Sequence, residues 1–591
     1  QPLAAPGERK DLTLRVETAD GREVIAYRSF AEQNTHVPQS ATEPPPPSAI
    51  ASADELFITG LHIDQYRHAT RAADAYWREA LRRDPLDARC NNALGFWHLR
   101  RGEWTSAEAC FLRAIERLTL RNPNPADGEA LYNLGVCLRY LGRDDDAYDR
   151  FYKATWNGAW RAAAYFALAE IDAGRSDWAR ALEHAERSLR HDTDHLNARN
   201  LKALVLRQLG RKDEAAALIA ETLRLDPLDG GARWLAGQAL ACEFACDTQT
   251  RIDLAIGRAR AGQYDDAIAL LRDALNAADP GTRPLLHYYL AAYSERCGQL
   301  ELAADYRARA ATEPRDYCFP SRLEDLLVLE EAIAHAPNDA AAHYYLGNLL
   351  YDKRRHADAI AHWEASVALD PKHPTAWRNL GIGRFNILGD AAGARKAYER
   401  AFALDQTDAR VLYERDQLWK RIGVAPQERL AELERHPELV ATRDDLCALC
   451  NHADQPERAL QLLLERRFQP WEGGEGQALG QYVRTRLSLG RRALDAGQAD
   501  GAVVQFSSAL NPPASLGEAR HLLANPSDIL YWLGVAHAAT GNQERAHAAW
   551  ETAASFRGDF QLMSVRAYSE LSYFSAKALA ALGRQDEAQT M

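Results

Sequence analysis

Residues 131–154 read LYNLGVCLRYLGRDDDAYDRFYKA, and how this stretch divides decides the fold. Apolar residues recur at helical spacing on both sides of Gly142, Arg143 and Asp144, so the stretch reads as two amphipathic helices joined at a glycine turn. Counting from Gly135, a glycine stands seven residues on at Gly142, an alanine twelve on at Ala147, an aromatic sixteen on at Phe151, and an alanine nineteen on at Ala154. Small residues at such positions let two helices cross closely, backbone against backbone, with Leu134, Tyr148 and Phe151 filling the space around the crossing.

The same offsets recur along the chain. Small residues that key further units are Gly95, Ala169, Ala203, Ala255, Ala291, Gly347, Gly381, Gly490, Gly534 and Ala576. The steps 135 to 169, 169 to 203 and 347 to 381 are each 34 residues, the length of the tetratricopeptide helix-turn-helix unit. Longer steps contain loops or inserted helices such as SRLEDLLVLEEAIAHAPND after Pro320. The predicted fold is therefore all-α, a right-handed superhelical tetratricopeptide solenoid, preceded by a short β-hairpin. Leu12, Leu14 and Val16 alternate with polar residues, Asp20-Gly21 supplies the turn, and Val24 to Tyr27 return. A lone hairpin is marginal by itself, so residues 1–32 are expected to be the tail of a preceding β domain. Residues 33–52, with Pro38 and Pro44 to Pro47, read as a semi-rigid spacer. A first repeat segment is expected over 53–410, a divergent helical connector over 411–470, and a second repeat segment over 471–591.

Composition agrees with a solenoid. A chain of 591 residues is too long for one core, whereas stacked repeats contact only their neighbours and grow freely. A net charge of −12 argues against nucleic-acid and anionic-membrane partners, and no run of 18 apolar residues offers a membrane span. Nine cysteines, mostly inside helical periods, read as reduced core thiols of a cytoplasmic protein. Gln1 is not an initiator methionine and no signal-peptide pattern follows it, so the chain is expected to start within, or after cleavage of, a longer one.

Candidate binding residues stand at the departures from the repeat. RNPNPADGEA places Asn122, Asn124 and Glu129 in two Asn-Pro turns before a helix, as caps or as contacts to a partner or sugar. DYCFPSR joins aromatics, Pro and charge between helices. FQPWEGGEG carries Trp471, Glu472 and Glu475 among three glycines, a costly composition for a plain connector. It reads either as a wedge between segments or as a sugar platform, with Trp471 stacking and the two carboxylates accepting from hydroxyls. His62, Tyr66 and Arg67, together with Lys153 and Trp156, form polar-aromatic clusters near the β domain's junction. Cys447, Cys450 and His452 make only half a metal site. The chain shows no Walker loop, nucleophile elbow, HExxH or dinucleotide fingerprint. No catalytic residue, metal or cofactor is expected.

Four segments in order, GLHIDQYRHATRAADAYWREALRRDPLDARCNNALG (60–95), RNPNPADGEALYNLG (121–135), DYCFPSR (316–322) and FQPWEGGEG (468–476), carry a further resemblance. They are similar to the C-terminal tetratricopeptide arm of a family of large bacterial proteins. The N-terminal half of those proteins is a domain of unknown function resembling the galactose-mutarotase-like β-sandwich of carbohydrate-active enzymes. The resemblance implies that residues 11–30 are the tail of such a sandwich and that the whole protein is linked to carbohydrate metabolism. Under it the chain is a scaffold docking its own β domain, a second copy or another protein. In the alternative, its loops complete a glycosidase-like sugar site through Trp471, Glu472 and Glu475, or through Tyr66 and Arg67.

Overall fold

The computed structural model describes residues 12–28, 43–66, 68, 70–238, 247–439, 445–469, 474–556, 558–561 and 564–591, and thirty α-helices make up most of them. The chain divides into two compact units, residues 1–98 with 104–143 and residues 99–103 with 144–591.

In the first unit the hairpin forms as the alternation predicts. Strands Thr13–Glu17 and Glu23–Arg28 pair antiparallel, with Leu14 opposite Tyr27 and Val16 opposite Ile25, and Gly21 takes a φ of +84° in the turn. Every residue of both strands is exposed. Residues 43–51 differ from the spacer reading, because they pack on the first helical pair. Tyr76 Oη donates to Pro45 O at 2.9 Å, Arg83 Nη1 donates to Ile50 O at 2.7 Å and Ala51 O at 2.9 Å, and the Ile50 side chain is buried. The segment leaves these carbonyls free of helical or sheet partners, so they accept from Tyr76 and Arg83 on the second helix. Ser52 accepts from Glu55 N at 3.4 Å at the predicted start of helix Ala53–Tyr66.

In the second unit, helices pair within repeats. Examples are Arg161–Gly174 with Trp178–His191, Ala340–Asp352 with His356–Leu369, and Ser527–Ala539 with Gln543–Ser555. The inserted segment after Pro320 forms helix Leu323–His335. Between 409 and 465 the helices Pro426–Leu433, Asp445–His452 and Pro456–Glu465 are short, with 8, 8 and 10 residues. A second hairpin, Asp559–Gln561 with Ser564–Arg566, was not expected from the sequence.

The small residues do a different job from the one expected. A Cβ on Gly347 would lie 2.5 Å from the Trp363 ring, on Gly381 2.7 Å from Tyr398, on Gly490 2.4 Å from Phe506, and on Gly534 2.3 Å from Trp550. In the first unit Gly60 and Gly95 meet Trp77 and Phe111 in the same way. The glycine is thus above all a socket for an aromatic ring on the next helix, with backbone also close at Gly347, and this fixes the register of each pair. A second tie recurs: Ser188 donates to Ala162 O and Ser366 to Ala340 O, both at 2.8 Å, each joining the end of one helix to the start of its mate.

Turns within repeats share one geometry. Gly142 donates to Arg139 O and Arg143 to Leu138 O, the helix-terminating motif that demands a left-handed residue. Glycine fills that place at 102, 142, 210, 262, 298, 389, 423, 497, 541 and 583, whereas Ser176, Arg354 and Asp454 adopt it at φ near +60°. Arg354 is exposed and its side chain holds no hydrogen bond or ion pair. Relief of left-handed strain outweighs the added backbone entropy, so Arg354→Gly is expected to stabilise by about 0.5–1 kcal/mol. A urea midpoint that moves down instead would refute this.

Candidate functional site

Of the residues singled out in the sequence, the structure brings two together in a built surface. Helix Asp144–Ala154 ends in the turn TWNGAW, where Thr155 Oγ1 donates to Tyr152 O at 2.8 Å and Asn157 Oδ1 accepts from Ala159 N at 3.0 Å. The turn holds Trp156 outward, 57% exposed, with Lys153 Nζ 4.2 Å from its ring centroid. The next two helices, Arg161–Gly174 and Trp178–His191, complete a groove of about 570 Å³ whose walls are Tyr152, Trp156, Arg161, Tyr165, Arg187 and Arg190.

Two of the three arginines are aimed by side-chain contacts. Arg161 Nε donates to Thr155 O at 2.9 Å, locking the turn to the following helix. Arg187 lies over Tyr165, donates to its Oη at 3.2 Å and to Glu183 at 2.5 Å, and the Tyr165 hydrogen bond holds its guanidinium above its ordinary range. Arg190 is exposed, with no hydrogen bond or ion pair. Beneath them lies the buried His184, which bonds Asp172 at 2.7 Å and stacks on Tyr165 with 5.7 Å between ring centroids. Burial and the Asp172 charge push the nearby Tyr148 hydroxyl up to about 12, so it stays protonated. The groove therefore offers two exposed aromatics and three arginines on a rigid base, in a chain that is acidic as a whole.

The other predicted residues remain local. His62 and Tyr66 are exposed with ring centroids 4.6 Å apart, and Arg67 lies outside the described residues. Asn122 Oδ1 accepts from Asn124 N and Asp127 Oδ1 from Glu129 N, both at 2.9 Å, so this loop is a pair of capped turns. Trp471 and Glu472 also lie outside the described residues. Glu475 is exposed, and the carboxylate serving the amides at the start of helix Gln477–Asp495 is Glu518, which accepts from Gly476 N at 2.6 Å and Leu479 N at 3.1 Å. Cys447 and Cys450 are buried in apolar clusters. Sequence reading missed Arg161, Arg187 and Arg190. The run Glu183, Arg187, Arg190 does place charges on one helix face, but nothing in it says that Trp156 lies opposite.

A comparison with protein-family models matches the tetratricopeptide repeat over residues 87–156 and again over 166–230, 202–241, 326–374 and 347–409. These segments are tetratricopeptide repeats. The groove lies between repeats, with Trp156 on the end of one matched stretch and helix Trp178–His191 in the next. Solved structures that resemble the chain include the crystal structure of the yeast Tom70, at 14% identity over 85% of this chain and 96% of that one, with a TM-score of 0.23. The APC/C hetero-tetramer Cut9–Hcn1 matches at 15% identity over 90% and 98%, TM-score 0.24. The C-terminal part of a TPR repeat-containing protein from Cytophaga hutchinsonii matches at 12% identity over 55% and 96%, TM-score 0.20. Tetratricopeptide arrays act as scaffolds for protein partners, using the extended faces that stacking leaves open. Among the described residues, no helix is long and apolar enough to cross a membrane.

Proposed function

We propose that this chain is a docking scaffold that receives an acidic, extended segment of a partner protein in the groove beside Trp156. The observation that carries this reading is a Trp more than half exposed, with Lys153 over its ring and Arg161, Arg187 and Arg190 lining the same groove against a single acid, Glu183. Exposed Trp, Tyr and Arg are the residues that dominate binding energy at protein interfaces, and the cations select carboxylates on the incoming segment. Peptide display against the whole chain is expected to enrich sequences pairing Asp or Glu with an aromatic. The enriched peptides should bind Trp156→Ala at least about tenfold more weakly, a loss of about 1.4 kcal/mol, while circular dichroism stays unchanged. Peptides that bind the variant as tightly as the parent would overturn the assignment of the groove.

The same reading includes an intramolecular partner. Leu14, Val16, Ile25 and Tyr27 share one face of the N-terminal hairpin by its register, and all four are exposed. We infer that this face is covered by a β-sandwich domain of a larger bacterial protein linked to carbohydrate metabolism, as the resemblance in the sequence implies. Residues 53–410 and 471–591 then serve as two docking segments joined through 411–470. The sugar-site alternative draws on Trp471, Glu472 and Glu475, or on Tyr66 and Arg67; Trp471, Glu472 and Arg67 lie outside the described residues, and protein docking is what the groove beside Trp156 supports.

A further inference from the structure

The repeat that starts at helix Thr248–Arg260 closes back on an earlier one. A Cβ on Gly262, whose φ is +72°, would come 2.8 Å from Gly174 Cα, and Gln208 Nε2 donates to Gln263 Oε1 at 3.4 Å. The turn that ends helix Thr248–Arg260 thus meets helices Arg161–Gly174 and Leu196–Gln208, and residues of all three helices line a cavity of about 310 Å³. Phe166, Leu201 and Ile256 give it apolar walls, and Glu170, Asn200 and Arg258 are its buried polar groups.

Arg258 is the anomaly. Five arginines are buried among the described residues, and four have an acidic partner: Arg199 pairs with Glu221, Arg251 with Asp273, Arg415 with Glu432 and Arg429 with Asp416. Arg258, 7% exposed, has neither an ion pair nor a hydrogen bond. The carboxylates whose charge reaches it are Asp229 and Asp266, opposed by Arg207. Asp229 is already committed, accepting from Gly231 N, Ala232 N and Asn200 Nδ2. The neighbouring cations are also engaged, Arg260 with Glu324 and Arg322 with Asp253. Asn200 is 5% exposed and its Oδ1 has no partner. A buried guanidinium without a counterion is costly, and burial is normally tolerated only with a paired carboxylate.

We propose that the cavity is a binding site for a free α-amino acid with an apolar side chain. Its carboxylate takes both arms of the Arg258 guanidinium, its ammonium group donates to Asn200 Oδ1 beside Glu170, and its side chain lies against Phe166, Leu201 and Ile256. The pairing supplies the hydrogen-bonded carboxylate that Arg258 lacks and the donor that Asn200 lacks in one small molecule. The site is independent of the groove beside Trp156.

The test is thermal shift and calorimetry on the whole chain with each of the twenty α-amino acids, the matched amines without a carboxylate, and the matched α-hydroxy acids. A saturable rise in melting temperature is expected with one or more apolar amino acids and with none of the amines. Arg258→Met removes an unpaired buried charge at similar volume, so its ligand-free melting temperature should not fall while binding is abolished. Arg258→Lys, which keeps the charge but loses the fork, should weaken binding at least tenfold. Absence of any shift, or binding that survives Arg258→Met, overturns the site. An α-hydroxy acid bound as tightly as its amino acid overturns the place given to the ammonium group.

Discussion

Asp416→Ala is expected to destabilise the region around residues 409–433 by about 3–5 kcal/mol, because it strands a buried cation. Arg429, on helix Pro426–Leu433, donates from Nε to Asp416 Oδ1 at 2.8 Å and from Nη2 to Oδ2 at 2.5 Å, and both residues are buried. The two-pronged geometry satisfies the guanidinium where water cannot. Removing the carboxylate leaves the charge with its full desolvation penalty and nothing against it. Replacing both partners together, Asp416→Leu with Arg429→Met, should recover most of the loss, since apolar pairs of similar volume often match or exceed a buried ion pair. Asp416 and Arg429 join two consecutive helices of a repeat array, so the damage is local and a global melting curve blurs it. Amide exchange in helices Ala409–Arg421 and Pro426–Leu433 is the proper readout. Protection there that equals the parent's would show that the pair contributes nothing.

The contrast between Asp416 and Gly347 shows what a sequence exposes. Helix boundaries, glycine turns and the 34-residue step are local properties, so the break at Gly142 and the hairpin turn at Gly21 were readable from spacing alone. The job of the small residue was half readable: its place was evident, but only packing shows that an aromatic ring fills the space above it. Asp416 and Arg429 stand thirteen residues apart on different helices, and no periodicity pairs them. The groove was legible in part. Lys153 and Trp156 drew notice as an aromatic-polar cluster, whereas Arg161, Arg187 and Arg190 reach them only through the stacking of two further helices. Arg258 was invisible for a different reason. Its sequence neighbourhood is that of any basic helix end, and its peculiarity is a missing partner, which is a property of the fold.

Gly347→Leu tests the ring-in-socket packing where backbone as well as a ring crowds the glycine. The first added atom would stand 2.5 Å from Trp363 Cδ1, 2.6 Å from Nε1 and 3.2 Å from Ala359 O, a carbonyl of helix His356–Leu369. The ring has nowhere to go. Trp363 is buried, and its Nε1 donates to Asn348 Oδ1 at 3.0 Å, which also accepts from Asn379 Nδ2 at 2.9 Å in the following repeat. Shifting the ring therefore breaks a hydrogen bond shared between repeats as well as overpacking the crossing. Together these effects should cost about 3 kcal/mol or more. Helix propensity alone predicts the opposite sign, since a leucine inside a helix is favoured over glycine by nearly 1 kcal/mol. Combining Gly347→Leu with Trp363→Ala removes the obstacle, and the double variant should be more stable than the sum of the single losses by about 1–3 kcal/mol. Simple additivity would mean that Gly347 and Trp363 do not share one space, and the socket reading of the repeat would fail with it.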